Sequence, residues 1–147
     1  MGKATDIKDK IYALLQTLDG SGQPFSAVYD HMPAAEDRQY PFAGLEILGG
    51  TGGEKREDTF NNLCTYVFRV YLGFKKEAGS DPLELRLDTL DAVLDKLRTH
   101  QYIDTLDGAV HILDISWAAG DFSETVPCHG FVITFTCKVL QAKTFGA

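Results

Sequence analysis

Four glycines and a lysine fall together in the run LEILGGTGGEKREDTF, Leu45 to Phe60, and glycine amides beside a lysine are the raw material of a phosphate cradle. A nucleoside-triphosphate loop needs the pattern G-x-x-x-x-G-K with Ser or Thr next and then a helix, so that amides and lysine converge on one phosphate. Counted from Gly49, the sixth position is Glu54, and Lys55 is succeeded by Arg56. A dinucleotide fingerprint starts at Gly50 and Gly52 but meets Lys55 where the third glycine belongs, and the segment after it reads as a strand rather than a helix. Spacing and context both exclude the phosphate reading. The stretch reads instead as a long hairpin loop from Gly49 to Asn62, with Glu54, Lys55, Arg56, Glu57 and Asp58 as a contact surface of both signs.

The other reactive residues form no better constellation. Cys64, Cys128, Cys137 and His111 lack the close spacing that lets one segment supply two zinc ligands. Cys128 and His129 are neighbours in a strand-like run, and alternation sends them to opposite faces. The cysteines are therefore expected to be buried thiols, and His31 and His100 to be solvated. No G-x-S-x-G elbow occurs. Asp104 with Asp107, and Asp30 with Glu36, read as loop charges, since nothing near them in sequence would raise a pKa. Trp117 and Asp114, in DISWAAGDF, could flank a ligand cleft, but an aromatic at a strand end is expected at the rim of the core. No catalytic residue, metal or cofactor is assigned, and the chain is not expected to be an enzyme.

The elements that would position these residues emerge from periodicity. Ile7, Ile11, Leu14, Leu15 and Leu18 mark one face of a helix that Thr5 or Asp6 can cap and Gly20 can end. A short strand runs through Ala27, Val28 and Tyr29. A second strand places Ala43, Leu45 and Ile47 toward the core, with Gly44 and Glu46 opposite. In the longest strand Tyr66, Phe68, Val70, Leu72 and Phe74 alternate with Thr65, Val67, Arg69 and Tyr71. Asp81, Pro82 and Glu84 open a second helix, with Leu83, Leu87, Leu90, Leu94 and Leu97 on its inner face and Glu84, Asp88, Asp91 and Asp95 outside. AVHILDISW and HGFVITFTCKVLQA close the chain as two strands, joined by a long AAGDFSETVPC connection. This order predicts an α+β fold: a mostly antiparallel sheet of four to five strands, two helices on one face, and a long β-hairpin.

At 147 residues with 44% hydrophobic content, one domain over 1–147 can bury a core without staples. The formal charge of −7 argues against a nucleic-acid binder, because that binding works through Lys and Arg displacing counterions. The same charge suits a wall that a polyanion passes without sticking. MGKATDIKDK lacks the apolar stretch of a signal peptide, and no run approaches ~18 apolar residues. Folding in a reducing, intracellular compartment without a membrane partner is expected. Val67 and Tyr71, with Val132 and Leu140, give the sheet more apolar surface than one helical layer needs, which marks a contact face.

The element order, with VYDHMPAAEDRQYPFAGLEI leading to EDTFNNLCTYVFRVYLGF, resembles the tail terminator (tail-completion, or minor tail protein) family of long-tailed phages. The likeness runs from about Thr5 to Leu140 and rests on YPFAGLEI and TYVFRVYL rather than on catalytic residues. It implies a homohexameric ring that seats on the tail tube protein, stops tube polymerisation and offers a surface to the head connector. DNA would pass through without specific binding. The implied location is the virion, at the tail–head junction, after assembly in a bacterial host cytoplasm. Self or tube contact is then expected at Glu54, Lys55, Arg56, Glu57, Asp58, Arg69 and Tyr71. The WAAGDFSETVPCHG connection is longer than in smaller relatives. The rival readings are a head-side joining protein or tube subunit of the same assembly, and a small ligand-binding or enzymatic α+β domain.

Overall fold

The aliphatic stripes of the sequence become two helices, α1 (Lys3–Gln16) and α2 (Leu83–Thr99). The computed structural model describes residues 3–20, 22–37, 39–56, 61–75, 83–105, 108–121 and 128–142, with the backbone alone for 3, 35, 51–56, 61–63, 75, 83, 85, 103–105, 108–109, 120–121, 128–129 and 140–142. Helix α1 buries Ile7, Ile11 and Leu15, and Leu18 lies in the turn after it. Helix α2 buries Thr89, Leu90, Val93, Leu94 and Leu97. Leu87, expected on that stripe, is 37% exposed. At 3.6 residues per turn the buried arc is centred between Val93 and Leu97, and Leu87 falls on its flank. Glu84, Asp88, Asp91 and Asp95 face solvent as expected, while Asp81 and Pro82 lie outside the described residues.

The strands are β1 (Ala27–Tyr29), β2 (Phe42–Arg56), β3 (Asn61–Lys75), β4 (Tyr102–Thr105), β5 (Gly108–Asp121) and β6 (Cys128–Ala142). They form one sheet in the order β1-β2-β3-β6-β5-β4. Among the described strand pairs β1–β2 is parallel and the rest are antiparallel. The fold is α+β, mostly antiparallel, with two helices and a long β2–β3 hairpin. Five strands match the expected ones. The sixth, β4, covers a segment read as loop, and places Asp104 in a ladder opposite Ala109. Asp107 lies outside the described residues.

Alternation sorts the sheet into two faces. Ala43 and Leu45 of β2, Phe68, Val70, Leu72 and Phe74 of β3, and Phe131, Ile133, Phe135, Cys137 and Val139 of β6 share one core cluster with both helices. Phe68 and Phe135 stack across the β3–β6 pair with centroids 5.8 Å apart. Each such side chain, fully buried, stabilises the fold by roughly 1.5–3 kcal/mol.

The strands outrun the helices. Fifteen residues of strand span about 50 Å, whereas helices of this length span about 21 and 26 Å. Ile47, expected to face the core, is level with the fully buried Phe68 and Phe135 yet is 44% exposed, with Leu48 at 43%, because β1 pairs with β2 only as far as Gly44 and leaves β2 as the lateral edge of the sheet there.

The glycine run is strand, not loop. Strand β2 continues to Arg56 and β3 resumes at Asn61, so the expected loop from Gly49 to Asn62 shrinks to residues 57–60, which lie outside the described residues. Irregularities at Ile47/Gly49 and Gly52/Lys55 absorb the odd residues. Gly50 is required by close approach, because a Cβ there would run into the backbone carbonyl of Thr65. The long connection after Trp117 shrinks likewise, with β5 reaching Asp121 and β6 starting at Cys128.

Candidate functional site

On the sheet face away from the helices, His31, Met32 and Pro33 cross over the β1/β2 end. A Cβ on Gly44 would come within 2.9 Å of the His31 carbonyl oxygen and 3.4 Å of the Pro33 ring. Main-chain and side-chain bonds hold this crossing. Ser26 donates to the Pro41 and Tyr40 carbonyls at 2.8 and 3.0 Å, and the Tyr29 hydroxyl donates to the Asp37 carbonyl at 3.1 Å. Beneath it, Phe42 is fully buried, edge-on to Tyr29 and Tyr40. At its start, Lys8 of α1 stands 3.8 Å from the Asp30 carboxylate, and His31 Nδ1 bonds the same group at 2.9 Å. That bond to His31, opposed by slight desolvation and helped by Lys8, lowers the Asp30 pKa.

Beyond this cover lie Arg69 and Tyr71, both half-buried. Arg69 Nη1 donates to the Tyr71 hydroxyl at 3.0 Å, and that hydroxyl reaches Glu46 Oε1 at 3.4 Å. Glu46 sits directly opposite Arg69 in the β2–β3 ladder. The guanidinium carbon is 5.7 Å from the Tyr71 ring centroid, within cation–π range. Arg69 Nε is buried with no acceptor among the described residues. Glu46 is the member that alternation alone did not single out; its place opposite Arg69 depends on the strand register. Val67 and Val132 beside the cluster are half-buried too, so the apolar surplus of this face is partly covered within the chain.

The other expected contact residues do not join this cluster. Glu54, Lys55 and Arg56 lie on the last residues of β2, and Glu57 and Asp58 lie outside the described residues. Lys55 is opposite Leu63 and Arg56 opposite Asn62, several residues along the ladder from Arg69.

Both edges of the sheet are partly open. Strand β1 pairs with β2 only at Phe42, Ala43 and Gly44. Among the described residues no strand lies against β2 beyond that point on the side away from β3, and Ile47, Leu48, Gly49 and Gly50 are exposed. At the opposite edge β4 pairs with β5 only from Gly108 to His111. Beyond it Asp114, Ser116, Trp117, Ala118 and Ala119 are exposed. Each free stretch begins at an irregularity, Ile47/Gly49 in one and Leu113/Ser116 in the other. Asp114, at the second, has φ 55°. Trp117 is 50% exposed and meets Phe131 edge-on at 5.8 Å. It is a core-rim residue at an open edge.

Cys64 and Cys137 are buried free thiols, and desolvation pushes Cys137 up to about 12. His31 and His100 are exposed, while His111 stacks on Tyr102 at 4.6 Å. Among the described residues no three His, Cys, Asp or Glu side chains converge on a metal-sized site. A cavity of about 400 Å³ is lined by Gly22, Gln23, Pro24, Pro41, Asp88 and Thr89, away from Trp117 and Asp114. Among the described residues no helix is long and apolar enough to cross a membrane.

No family model matches the chain, and no curated protein matches it either. One solved structure, whose name describes no function, spans 98% of this chain and 95% of its own, with 13% identity and a TM-score of 0.44.

Proposed function

We propose that this chain is a structural virion protein of the tail-terminator kind. It assembles into a closed ring, six-fold in the family it resembles, seats on the end of the tail tube, stops its growth and offers the head connector a surface. The observation that supports this reading is the pair of open sheet edges, each carrying exposed apolar residues: Ile47 and Leu48 on one, Trp117 on the other. Unpaired edges of this kind template association with another chain, and a protein that stays monomeric usually blunts them. No proline interrupts either strand.

The charge supports the conduit. With a net charge of −7, the ring repels the DNA that crosses it, and Glu84, Asp88, Asp91 and Asp95 give α2 an acidic outer face. Glu54, Lys55 and Arg56 close strand β2, and with Glu57 and Asp58, next in the sequence, they would meet the tube or a neighbouring subunit. Arg69 and Tyr71 serve the same contact from the sheet face.

The test is seeded growth of tail-tube protein with electron microscopy as the readout. A terminator halts elongation at one ring per growing end, far below the tube-protein concentration. Co-polymerisation into longer tubes would make the chain a tube subunit instead, and unchanged growth would contradict the capping reading.

A further inference from the structure

Strand directions determine how the two open edges can meet. Strand β2 runs antiparallel to β3, β3 to β6, and β6 to β5, so β5 and β2 are antiparallel to one another. A copy set beside another in the same orientation therefore brings its β2 edge antiparallel to the β5 edge of its neighbour, the pairing the rest of the sheet already uses. Ile47 shares a face with Phe68 and Trp117 with Ile133, and both partners belong to the helix-side core. Two copies in one orientation thus put Ile47 and Trp117 on the same side of a continuous sheet.

The free stretches lie at different heights. Trp117 is level with Ile133, Val70 and Leu45, where β1 has only just left the β2 edge. The free part of β2 is level with Val110 and Ile112, where β4 begins to cover β5. Mating the two needs a slide of about seven residues along the strand, about 23 Å. A constant slide between neighbours is the stagger that tilts strands when a sheet closes on itself.

Edge coverage favours this mate over its alternatives. Any two-fold pairing leaves one edge open in every copy, whereas head-to-tail pairing covers both.

Resting on the ring reading above, we infer that the ring is built by β-sheet continuation: residues 114–121 of one copy add to residues 47–56 of the next. The partner at both edges is a second copy of this chain. Ring closure covers Trp117, Ile47 and Leu48, and the Arg69–Tyr71–Glu46 face remains free for the tube or the connector.

The test uses edge-blocked full-length chains. One variant carries Trp117→Glu, a second Ala118→Pro, a third Leu48→Glu and a fourth Ile47→Lys. All four sites lie on the exposed edges, and circular dichroism melts confirm that each variant folds. Native mass spectrometry should find every variant monomeric alone. Mixing a β5-blocked with a β2-blocked variant should give a 1:1 heterodimer and nothing larger, because one competent edge of each kind remains. Rings from the folded single variants would overturn the edge pairing while leaving the ring reading intact. A homodimer of either class would replace it with a two-fold contact. A monomeric wild type would remove both.

Discussion

Phe42 occupies the space that Gly73 leaves on the neighbouring strand: the two are register partners, and a Cβ on Gly73 would run into the Phe42 ring. Phe42 lies on the face away from the helices, yet it is fully buried, with the rings of Tyr29 and Tyr40 packed edge-on against it. This small second core holds the β1/β2 end of the sheet. Gly73→Ala is expected to cost about 1–3 kcal/mol by overpacking, read from urea unfolding. Phe42→Leu in the same chain should return part of that loss, since the two side chains compete for one volume.

Gly50 faces a harder obstacle, the Thr65 carbonyl in the β2–β3 ladder. Backbone cannot swing aside as a side chain can. Gly50→Ala should therefore loosen the hairpin, and hydrogen exchange should show lost amide protection on either side of the Gly50–Tyr66 pair. Core amides around Phe68 and Phe135 should keep theirs, because local opening need not unfold the whole domain.

Alternation in β3 and β6 and the stripes Ile7–Ile11–Leu15 and Leu90–Leu94–Leu97 were legible in the sequence, because each is a local period that burial imposes. The strand identity of Gly49 to Arg56 was not legible. Glycine has no strand preference of its own, and what holds those residues in the ladder is their register against Asn62 to Val67. Tyr102 to Thr105 were missed for the same reason, being only four residues long and defined by pairing with Gly108 to His111. Arg69 and Tyr71 were legible as outward-facing, but their partner Glu46 lies on another strand and needed the register. The open edges are a property of which strand ends where, and no single segment encodes that.

Tyr71 links Arg69 to Glu46, so its hydroxyl is the group to remove. Tyr71→Phe should lower unfolding stability by about 1 kcal/mol, the typical worth of such a bond. If Arg69 and Tyr71 also touch the tube, the same variant should weaken capping more than that small loss of stability explains. Equal effects on both would make the cluster a cover for the sheet and nothing more. Tube-growth assays and denaturant melts on one preparation separate the two.

Burial gives Cys137 a pH signature. The folded chain holds the thiol proton up to about 12, whereas an unfolded chain releases it above about 8.5. The stability from this difference is complete below the unfolded value and falls as pH rises through the window toward the folded one. Between pH 7.5 and 10 the wild type should lose more stability than Cys137→Ala, measured as the shift in urea midpoint. Cys137 should also resist alkylation at pH 8 until the protein unfolds.

The most direct measurement is the native mass of the purified protein across a thousandfold range of concentration. A chain that works by closing into a ring should show one discrete oligomer, six copies by the family it resembles, in equilibrium with monomer and with no ladder of larger species. A strictly monomeric mass at every concentration, unchanged when tail-tube ends are added, would contradict the account.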